Sequence, residues 1–511
     1  MKYAWAIILF LISICFGGFG AYENLQKRAI HADEAEQATT FLKLYQDGEY
    51  KYNPNGPHGP TLYYWANWAL KATSNIQPQE IEITTLRKSM LVVSAIALLS
   101  IFILSSEIGI GSCLCASAMF AGTSFLQIYG SYFVQEIIFA LLVFTTTAMA
   151  WLFLKEPTTK KALLLGISAG FVQATKETSV IAFVSIFVGS TIVGLVSKNI
   201  KNSVQSVSIK SYTKFALMMA LAFIVVCVVW YSSFASNWQG VVDAIKSYYV
   251  HFFNKAGMSE HSGEGLFYIK LLFLQKSSGA YFGEIIFTIL SIIGFIWATW
   301  KSSSNVKSAC VMFFGICAIT NFAILSIITY KTPWLILSSI MLMSICAGYV
   351  LWKIFELPIK YSLPIVILLC VFYWFFQFRA THNAVKRFHS DPRNPFIYSH
   401  TVSDENNLAN RLFKCAKYSE FKTDMPIAFV SKVSPWPLPW QLRNFKNTGF
   451  WNTPPENINS FDVVVCDSFS ANEVAKKLDI KNYEADLFGL RKNTILTVYI
   501  KKPIFKKIIE E

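Results

Sequence analysis

Long apolar runs make up most of the chain, and short polar stretches separate them. A transmembrane helix needs about 20 consecutive, mostly apolar residues. Such runs predict about eleven spans, near residues 4–21, 89–106, 110–126, 131–154, 161–174, 177–196, 213–234, 282–300, 307–329, 333–352 and 361–378. We interpret the first run as an uncleaved anchor, because no small-residue cleavage site follows it. The pattern predicts a polytopic α-helical membrane protein.

After about residue 380 the pattern becomes that of a soluble protein. The segments MPIAFVSK, FDVVVCD and ILTVYIK predict strands, and DENNLANRLFKCAKY and ANEVAKKLD predict helices. Strands alternating with helices are typical of a small α/β domain. We therefore predict a transmembrane domain at 1–379, with long outer loops at 22–88 and 235–281, and an α/β domain at 380–511. The pattern leaves open whether the second domain binds an acceptor or is purely structural.

The composition excludes a soluble or disordered chain. Of the 511 residues, 54% are hydrophobic and only 15% are charged, whereas soluble proteins carry about 25% charged residues. A net charge of +14 in a soluble protein would suggest nucleic acid as a partner. In a membrane protein it indicates lysine-rich cytoplasmic loops, so we expect membrane lipids and no nucleic acid as partners.

The lysines of the short loops predict the orientation. If the N-terminus is inside, the cytoplasmic loops hold Lys155, Lys160, Lys161, Lys198, Lys201, Lys210, Lys214, Lys301, Lys307, Lys353 and Lys360. An odd number of spans then places the C-terminal domain outside. All seven histidines lie in predicted outer segments or the tail: His31, His58, His251, His261, His382, His389 and His400. Histidine is disfavoured in lipid anyway, but its absence from the inner loops favours an outward-facing site.

The first outer loop carries two adjacent carboxylates, Asp33 and Glu34, at the start of a helical pattern. Acidic residues in a first turn often only complement the helix dipole. A second helix is predicted to begin at Pro60, and its aromatic strip is typical of a helix lying in the membrane interface. The loop is therefore expected to hold the two carboxylates at the bilayer surface.

Further ionisable residues stand at the predicted outer ends of spans. Glu136 begins the fourth span, Lys176 and Glu177 lie in ATKETS, and Lys331 lies in TYKTPW. Charged residues at membrane depth are costly and indicate function by default, although lysine also reaches the interface by snorkelling. Together they predict an outer cavity with carboxylates for chemistry and ammonium groups for an anion.

These motifs carry a resemblance to a known superfamily. The Asp33-Glu34 pair, the following PHGP segment and the aromatic helix resemble the first extracytoplasmic loop of GT-C membrane glycosyltransferases, such as dolichyl-phosphate-mannose protein mannosyltransferases and the lipid A aminoarabinose transferase. ATKET, YKTPW, SPWPLPWQLRNFKNTGFW and LRKNTILTVYI resemble the prokaryotic flippase activity-associated glycosyltransferases. This chain has His-Gly-Pro where the protein mannosyltransferases have His-Pro-Pro.

The resemblance implies a multi-pass enzyme of the prokaryotic cytoplasmic or inner membrane. It would transfer a hexose, such as mannose, from a polyprenyl-phosphate-linked donor to a hydroxyl of a protein, lipid or glycan at the outer face. Such a reaction needs a carboxylate base and cations for the departing phosphate. We assign Asp33 and Glu34 to catalysis, with Asp33 as the base. The predicted substrate-binding residues are His58, Arg87, Glu136, Lys176, Glu177, Tyr330 and Lys331.

Within this set, Lys331, Lys176 and Arg87 are the leading phosphate partners. Neighbours on a helix do not share a face, so either Asp33 or Glu34 is expected to aim elsewhere. His58 has two open interpretations, substrate orientation or a structural role in the turn.

Two alternatives stay open. No cofactor is implied with certainty, although the second outer loop could hold a divalent metal through His251, Glu260, His261 and Glu264. Their spacing fits no standard zinc pattern, and a substrate-gating loop is the preferred interpretation.

The alternative function is a component that moves polyprenyl-linked glycolipids without transferring sugar, but no internal repeat typical of transporters is present.

Overall fold

The computed structural model describes residues 3–56, 58–73, 76–250, 265–277, 279–391, 393–398 and 401–510. The chain divides into two compact units. The first, which we call the helical unit, comprises Met1–Gln26, Phe41–Ile76 and Thr84–Arg387. The second, the α/β unit, comprises Lys27–Thr40, Gln77–Ile83 and Phe388–Glu511. Two pieces of the predicted first outer loop therefore belong to the same unit as the C-terminal region.

A helix lies at each predicted span. The helices up to residue 382 are α1 (Ala4–Lys27), α2 (Ala32–Asp47), α3 (Thr61–Thr73), α4 (Ile83–Ser100), α5 (Ser105–Ile108), α6 (Ile110–Gly122), α7 (Ser124–Tyr129), α8 (Glu136–Lys155), α9 (Thr159–Gln173), α10 (Ser179–Val196), α11 (Lys198–Gln205), α12 (Ile209–Tyr231), α13 (Gln239–Tyr249), α14 (Phe267–Leu272), α15 (Ile285–Lys301), α16 (Val306–Ile327), α17 (Leu337–Phe355) and α18 (Ser362–His382). A short antiparallel pair, β1 (Gln275–Ser277) and β2 (Ala280–Phe282), precedes α15. The predicted polytopic α-helical class is confirmed.

Among the described residues, seven helices are apolar and long enough to cross a membrane. They are Ile83–Ile108, Glu136–Lys155, Ser179–Val196, Ile209–Tyr231, Val306–Ile327, Pro333–Phe355 and Ser362–Arg387. Three apolar helices are shorter: Ala4–Gly18, Ile110–Gly122 and Ile285–Lys301. The number of spans stays a prediction.

Burial separates central from peripheral helices in the helical unit. Pro333–Phe355 is 89% buried over its most apolar window, whereas Ile209–Tyr231 is 17% buried. The central helix α17 packs closely on α6, because Gly348 has no side chain there. A Cβ at Gly348 would lie 2.2 Å from the backbone nitrogen of Ala116. The exposed apolar side chains of α12 form a surface suited to lipid.

The α/β unit is built on a five-stranded sheet. Its elements are α19 (Asp404–Tyr418), β3 (Ile427–Val430), α20 (Leu438–Gln441), β4 (Thr448–Trp451), β5 (Val463–Asp467), α21 (Ala471–Lys477), β6 (Tyr483–Arg491), β7 (Thr494–Lys501) and α22 (Lys502–Ile509). The strand order is β4-β3-β5-β7-β6, with β3 parallel to β4 and β5, and β7 antiparallel to β5 and β6. Alternate residues of β3 and β5 fill two apolar clusters, one on each face. The three predicted strands and both predicted helices are present.

Candidate functional site

The two adjacent carboxylates of the first loop point in different directions. They lie in the first turn of α2. The side chain of Asp33 is 48% exposed, whereas that of Glu34 is fully buried. Consecutive residues on a helix lie about 100° apart, so they cannot share a face. Asp33 is therefore the member of the pair that a substrate can reach.

Glu34 is held in a buried ion pair. Its Oε1 accepts a hydrogen bond of 2.7 Å from Nη2 of Arg28, and its Oε2 accepts one of 3.2 Å from the backbone N–H of His31. The side chains of Arg28 and Glu34 are at most 3% exposed. A buried charge needs such a partner, because burying it alone is costly. These contacts give Glu34 a structural part in shaping the turn before α2.

His31 fixes the backbone of Asp33. Its Nδ1 accepts the backbone N–H of Asp33 at 3.0 Å, so the ring proton is on Nε2, which donates to the carbonyl of Tyr398 at 2.9 Å. Burial lowers the pKa of His31, while the Asp33 and Glu34 carboxylates oppose this shift. The neutral imidazole thus joins the Asp33 turn to the segment that precedes α19.

In the helical unit, the ATKETS segment joins α9 to α10 and forms a second ion pair. Nζ of Lys176 donates to Oε1 of Glu136, at the start of α8, at 2.5 Å, and both side chains are buried. The pair lines a small cavity together with Asn321, Trp334 and Ser338. The carboxylate of Glu136 therefore balances the positive charge of Lys176. A substrate anion would have to compete with Glu136 for the lysine.

The next residue of the same segment organises His58. Oε2 of Glu177 lies 2.7 Å from Nδ1 of His58, and Oε1 accepts the hydroxyl of Tyr52 at 2.8 Å. Glu177 is 2% exposed, while the His58 side chain is 29% exposed. Burial and the Glu177 charge raise the pKa of Tyr52, so it remains a neutral donor. A carboxylate acceptor keeps the His58 proton on Nδ1 and fixes the ring plane.

The glycine of the PHGP segment permits this arrangement. The backbone N–H of Gly59 donates to the carbonyl of Thr175 at 3.1 Å. A Cβ at Gly59 would lie 2.2 Å from the carbonyl oxygen of Ala174. Two segments that the sequence analysis singled out separately, PHGP and ATKET, therefore pack directly against each other.

Lys331 differs most from the expected arrangement. Its ammonium donates to the carbonyls of Leu325 and Ser326, at 2.9 and 2.7 Å, and to that of Ile328. It thus caps the C-terminal end of α16, and it lies 5.2 Å from the ring centre of Tyr268. Burial lowers the pKa of Lys331. All three donor positions of the ammonium are occupied, but by neutral groups, so its positive charge is not cancelled by them.

The remaining predicted residues are in less accessible places. Arg87 is 1% exposed, and its Nη1 donates to the carbonyl of Leu25 at 3.0 Å. Tyr330 is half-buried beside Lys331. His251, Glu260, His261 and Glu264 lie outside the described residues. Within the described ranges, no group of three His, Cys, Asp or Glu side chains could hold a metal ion.

The structure brings together only part of the predicted set. Glu136, Lys176, Glu177 and His58 converge around ATKETS in the helical unit, whereas Asp33 and Glu34 belong to the α/β unit. Sequence reasoning missed the supporting residues Arg28, His31 and Tyr52. His31 precedes the acidic pair by two positions, and this closeness in sequence could have indicated its contact with Asp33. Nothing in the local pattern indicates that Tyr52 contacts the distant Glu177.

Comparisons with known proteins agree with this fold. Residues 33–238 match the family model described as dolichyl-phosphate-mannose-protein mannosyltransferase. The structure of ArnT from Cupriavidus metallidurans bound to undecaprenyl phosphate is similar, with a TM-score of 0.66, 12% identity, and coverage of 98% of this chain and 99% of that one.

An archaeal enzyme shares the fold more distantly. The Archaeoglobus fulgidus oligosaccharyltransferase in complex with Zn and sulfate aligns with a TM-score of 0.55 and 13% identity, over 95% of this chain and 72% of that one. No curated protein matches the sequence. Residues 33–238 are thus similar to the dolichyl-phosphate-mannose-protein mannosyltransferases, and nearly the whole chain shares the fold of ArnT.

Proposed function

We propose that this protein transfers a sugar from a polyprenyl-phosphate-linked donor to a hydroxyl of a protein, lipid or glycan acceptor. The reaction would occur at the outer face of a prokaryotic cytoplasmic membrane, with the N-terminus inside and the C-terminal domain outside. The match of residues 33–238 to the mannosyltransferase model supports the reaction class, and the similar ArnT structure contains undecaprenyl phosphate. The one-sided lysine distribution supports the orientation.

The observation that carries this proposal is the state of Asp33. It is the first residue of the segment that matches the mannosyltransferase model. Its carboxylate is half exposed, while its backbone is held by the buried ring of His31. A general base must be ionised, accessible and positioned, and Asp33 meets the last two conditions better than the sequestered Glu34.

In the proposed step, Asp33 accepts the proton of the acceptor hydroxyl. The hydroxyl oxygen bonds to the anomeric carbon of the sugar, and the bond from that carbon to the phosphate oxygen breaks. The electron pair of this bond leaves with the polyprenyl phosphate. Positive charge stabilises a departing phosphate. Within the helical unit, Lys331 and Lys176 are the residues proposed to bind the donor phosphate, the latter once it exchanges Glu136 for the anion.

His58 is proposed to orient a substrate hydroxyl. Glu177 and Tyr52 fix its ring, and its side chain is partly exposed. A buried carboxylate that orients a histidine in this way is a common means of positioning the second ring nitrogen toward a ligand. The alternative, a purely structural part in the PHGP turn, predicts lost stability without a specific loss of turnover when Glu177 is changed.

The test uses the purified full-length chain in lipid nanodiscs. We would add a set of radiolabelled polyprenyl-phosphate sugars and measure loss of donor and release of polyprenyl phosphate. The wild type and Asp47→Asn, which changes an exposed carboxylate at the far end of α2, should consume a donor, and Asp33→Asn should not. A wild type that binds donor but never consumes it would contradict the proposal and favour the glycolipid-transport alternative.

A further inference from the structure

Three chain segments of the α/β unit meet beside the Asp33 turn. Arg491, the last residue of β6, forms an isolated antiparallel bridge with Thr401. The hydroxyl of Thr401 donates to the carbonyl of Ile30 at 2.6 Å, and His31 donates to Tyr398. The end of β6 is therefore tied through one residue to the backbone that leads directly into Asp33.

The guanidinium of Arg491 is anchored by neutral groups. Its Nη2 donates to the carbonyls of Ser434 and Trp436 at 2.6 and 2.5 Å. Carbonyl oxygens orient an arginine without cancelling its charge, unlike the carboxylate that pairs with Arg28 in the same unit. Arg491 comes from the string LRKN, and its anchors come from SPWP. Two tail strings that had no assigned role thus meet at this side chain.

The charge of Arg491 acts on the Asp33 turn. Burial lowers the pKa of Arg491, and the carboxylate of Asp33 opposes that shift. The same guanidinium contributes to lowering the pKa of His31. Asp33 is half exposed, whereas Glu34 is buried and paired with Arg28. Asp33 is therefore the accessible carboxylate of this turn.

We propose that Arg491 is a positioning residue for Asp33, and that its anchored guanidinium attracts the Asp33 carboxylate and keeps it in the direction needed for proton abstraction. The proposal rests on the proposed function and deepens it, because it makes the C-terminal region part of the catalytic apparatus rather than a cap. An arginine suits this task because its planar fork keeps a fixed geometry while the backbone carbonyls hold it.

The test is a double-mutant cycle between positions 491 and 33 in the full-length protein. Arg491→Met should lower kcat for sugar transfer about tenfold to a hundredfold, as expected for a misplaced catalytic group, and leave the KM for donor within about twofold. Arg491→Lys keeps the positive charge but not the planar guanidinium, so its kcat should fall less than that of Arg491→Met. Lys492→Met is the matched control, because Lys492 is the exposed neighbour of Arg491, and it should retain full turnover.

The cycle separates positioning from a structural role. In an Asp33→Asn background, neither Arg491→Met nor Arg491→Lys should lower the residual rate further, since groups that act as a unit are not additive. If Arg491→Met does not fold, the Arg491→Lys arm alone completes the cycle. Full turnover of a folded Arg491 variant, or an equal loss in both backgrounds, would overturn the inference. Near-normal turnover of Asp33→Asn alone would instead overturn the proposed function.

Discussion

Asp33→Asn should lower turnover without lowering stability, and Glu34→Gln should lower stability with little effect on turnover. Asp33→Asn keeps the size and the helix turn but removes the proton acceptor. Loss of general base catalysis lowers turnover by about 10²- to 10⁴-fold, which is about 3–5 kcal/mol of activation free energy. The free energy of unfolding should hardly change, because the side chain is 48% exposed and lies 3.8 Å from Nδ1 of His31, whose ring is neutral.

Glu34→Gln should instead destabilise the protein. The change leaves the buried guanidinium of Arg28 without its carboxylate, and breaking a buried ion pair by removing one partner costs about 3–5 kcal/mol. The backbone N–H of His31 still has an amide oxygen to accept it. Below the melting transition, the folded fraction of Glu34→Gln should transfer sugar at a rate within about tenfold of the wild type.

The assay measures both quantities on the same nanodisc samples. Initial rates of donor consumption give turnover per folded protein, and a thermal shift measurement gives Tm. Arg28→Met combined with Glu34→Met is the matched control: an apolar pair of similar volume should recover most of the lost Tm. A stable Glu34→Gln variant with abolished turnover, or an unstable Asp33→Asn variant with normal turnover, would refute this division of roles.

Three more predictions concern other ionisable groups. Burial raises the pKa of Glu405 to about 7 from 4.5, so the folded state holds a proton that the unfolded state releases, and stability should fall by about 3 kcal/mol between about pH 4.5 and 7. Glu405→Gln should flatten this dependence of Tm on pH and be the more stable form at pH 8; an unchanged slope would contradict the assignment. Lys331→Met should lower Tm, because the carbonyls at the end of α16 lose their hydrogen-bond donor. It should also weaken binding of the polyprenyl-phosphate sugar in a filter assay; unchanged affinity for this sugar donor would limit Lys331 to capping the helix. Glu177→Gln and His58→Gln should each lower kcat by about tenfold or more, and the double variant should lose no more than the worse single one; additive losses would argue against a functional pair.

Sequence alone determined the class of the protein and most of its elements. Long apolar runs indicate burial in lipid, and short continuous apolar segments indicate burial inside a sheet. The helices in the apolar runs and the central strands β3, β5 and β7 were therefore predictable. The strands β4 and β6 were not, because they are the two edges of the sheet. An edge strand has one unpaired side and more exposed residues, as the mixed burial of Tyr483–Arg491 illustrates, and its composition resembles that of a loop.

Tertiary structure decided what each charged side chain does. The sequence predicts that either Asp33 or Glu34 aims elsewhere without showing which one, and it indicates Lys176 and Lys331 only as cations for a phosphate. Only the fold pairs Glu34 with Arg28 and Lys176 with Glu136, and turns Lys331 onto helix carbonyls. The physical reason is that the role of an ionisable group depends on its exposure and on the partner that forms an ion pair or hydrogen bond with it. Both are set by residues distant in the chain, and no local pattern encodes them.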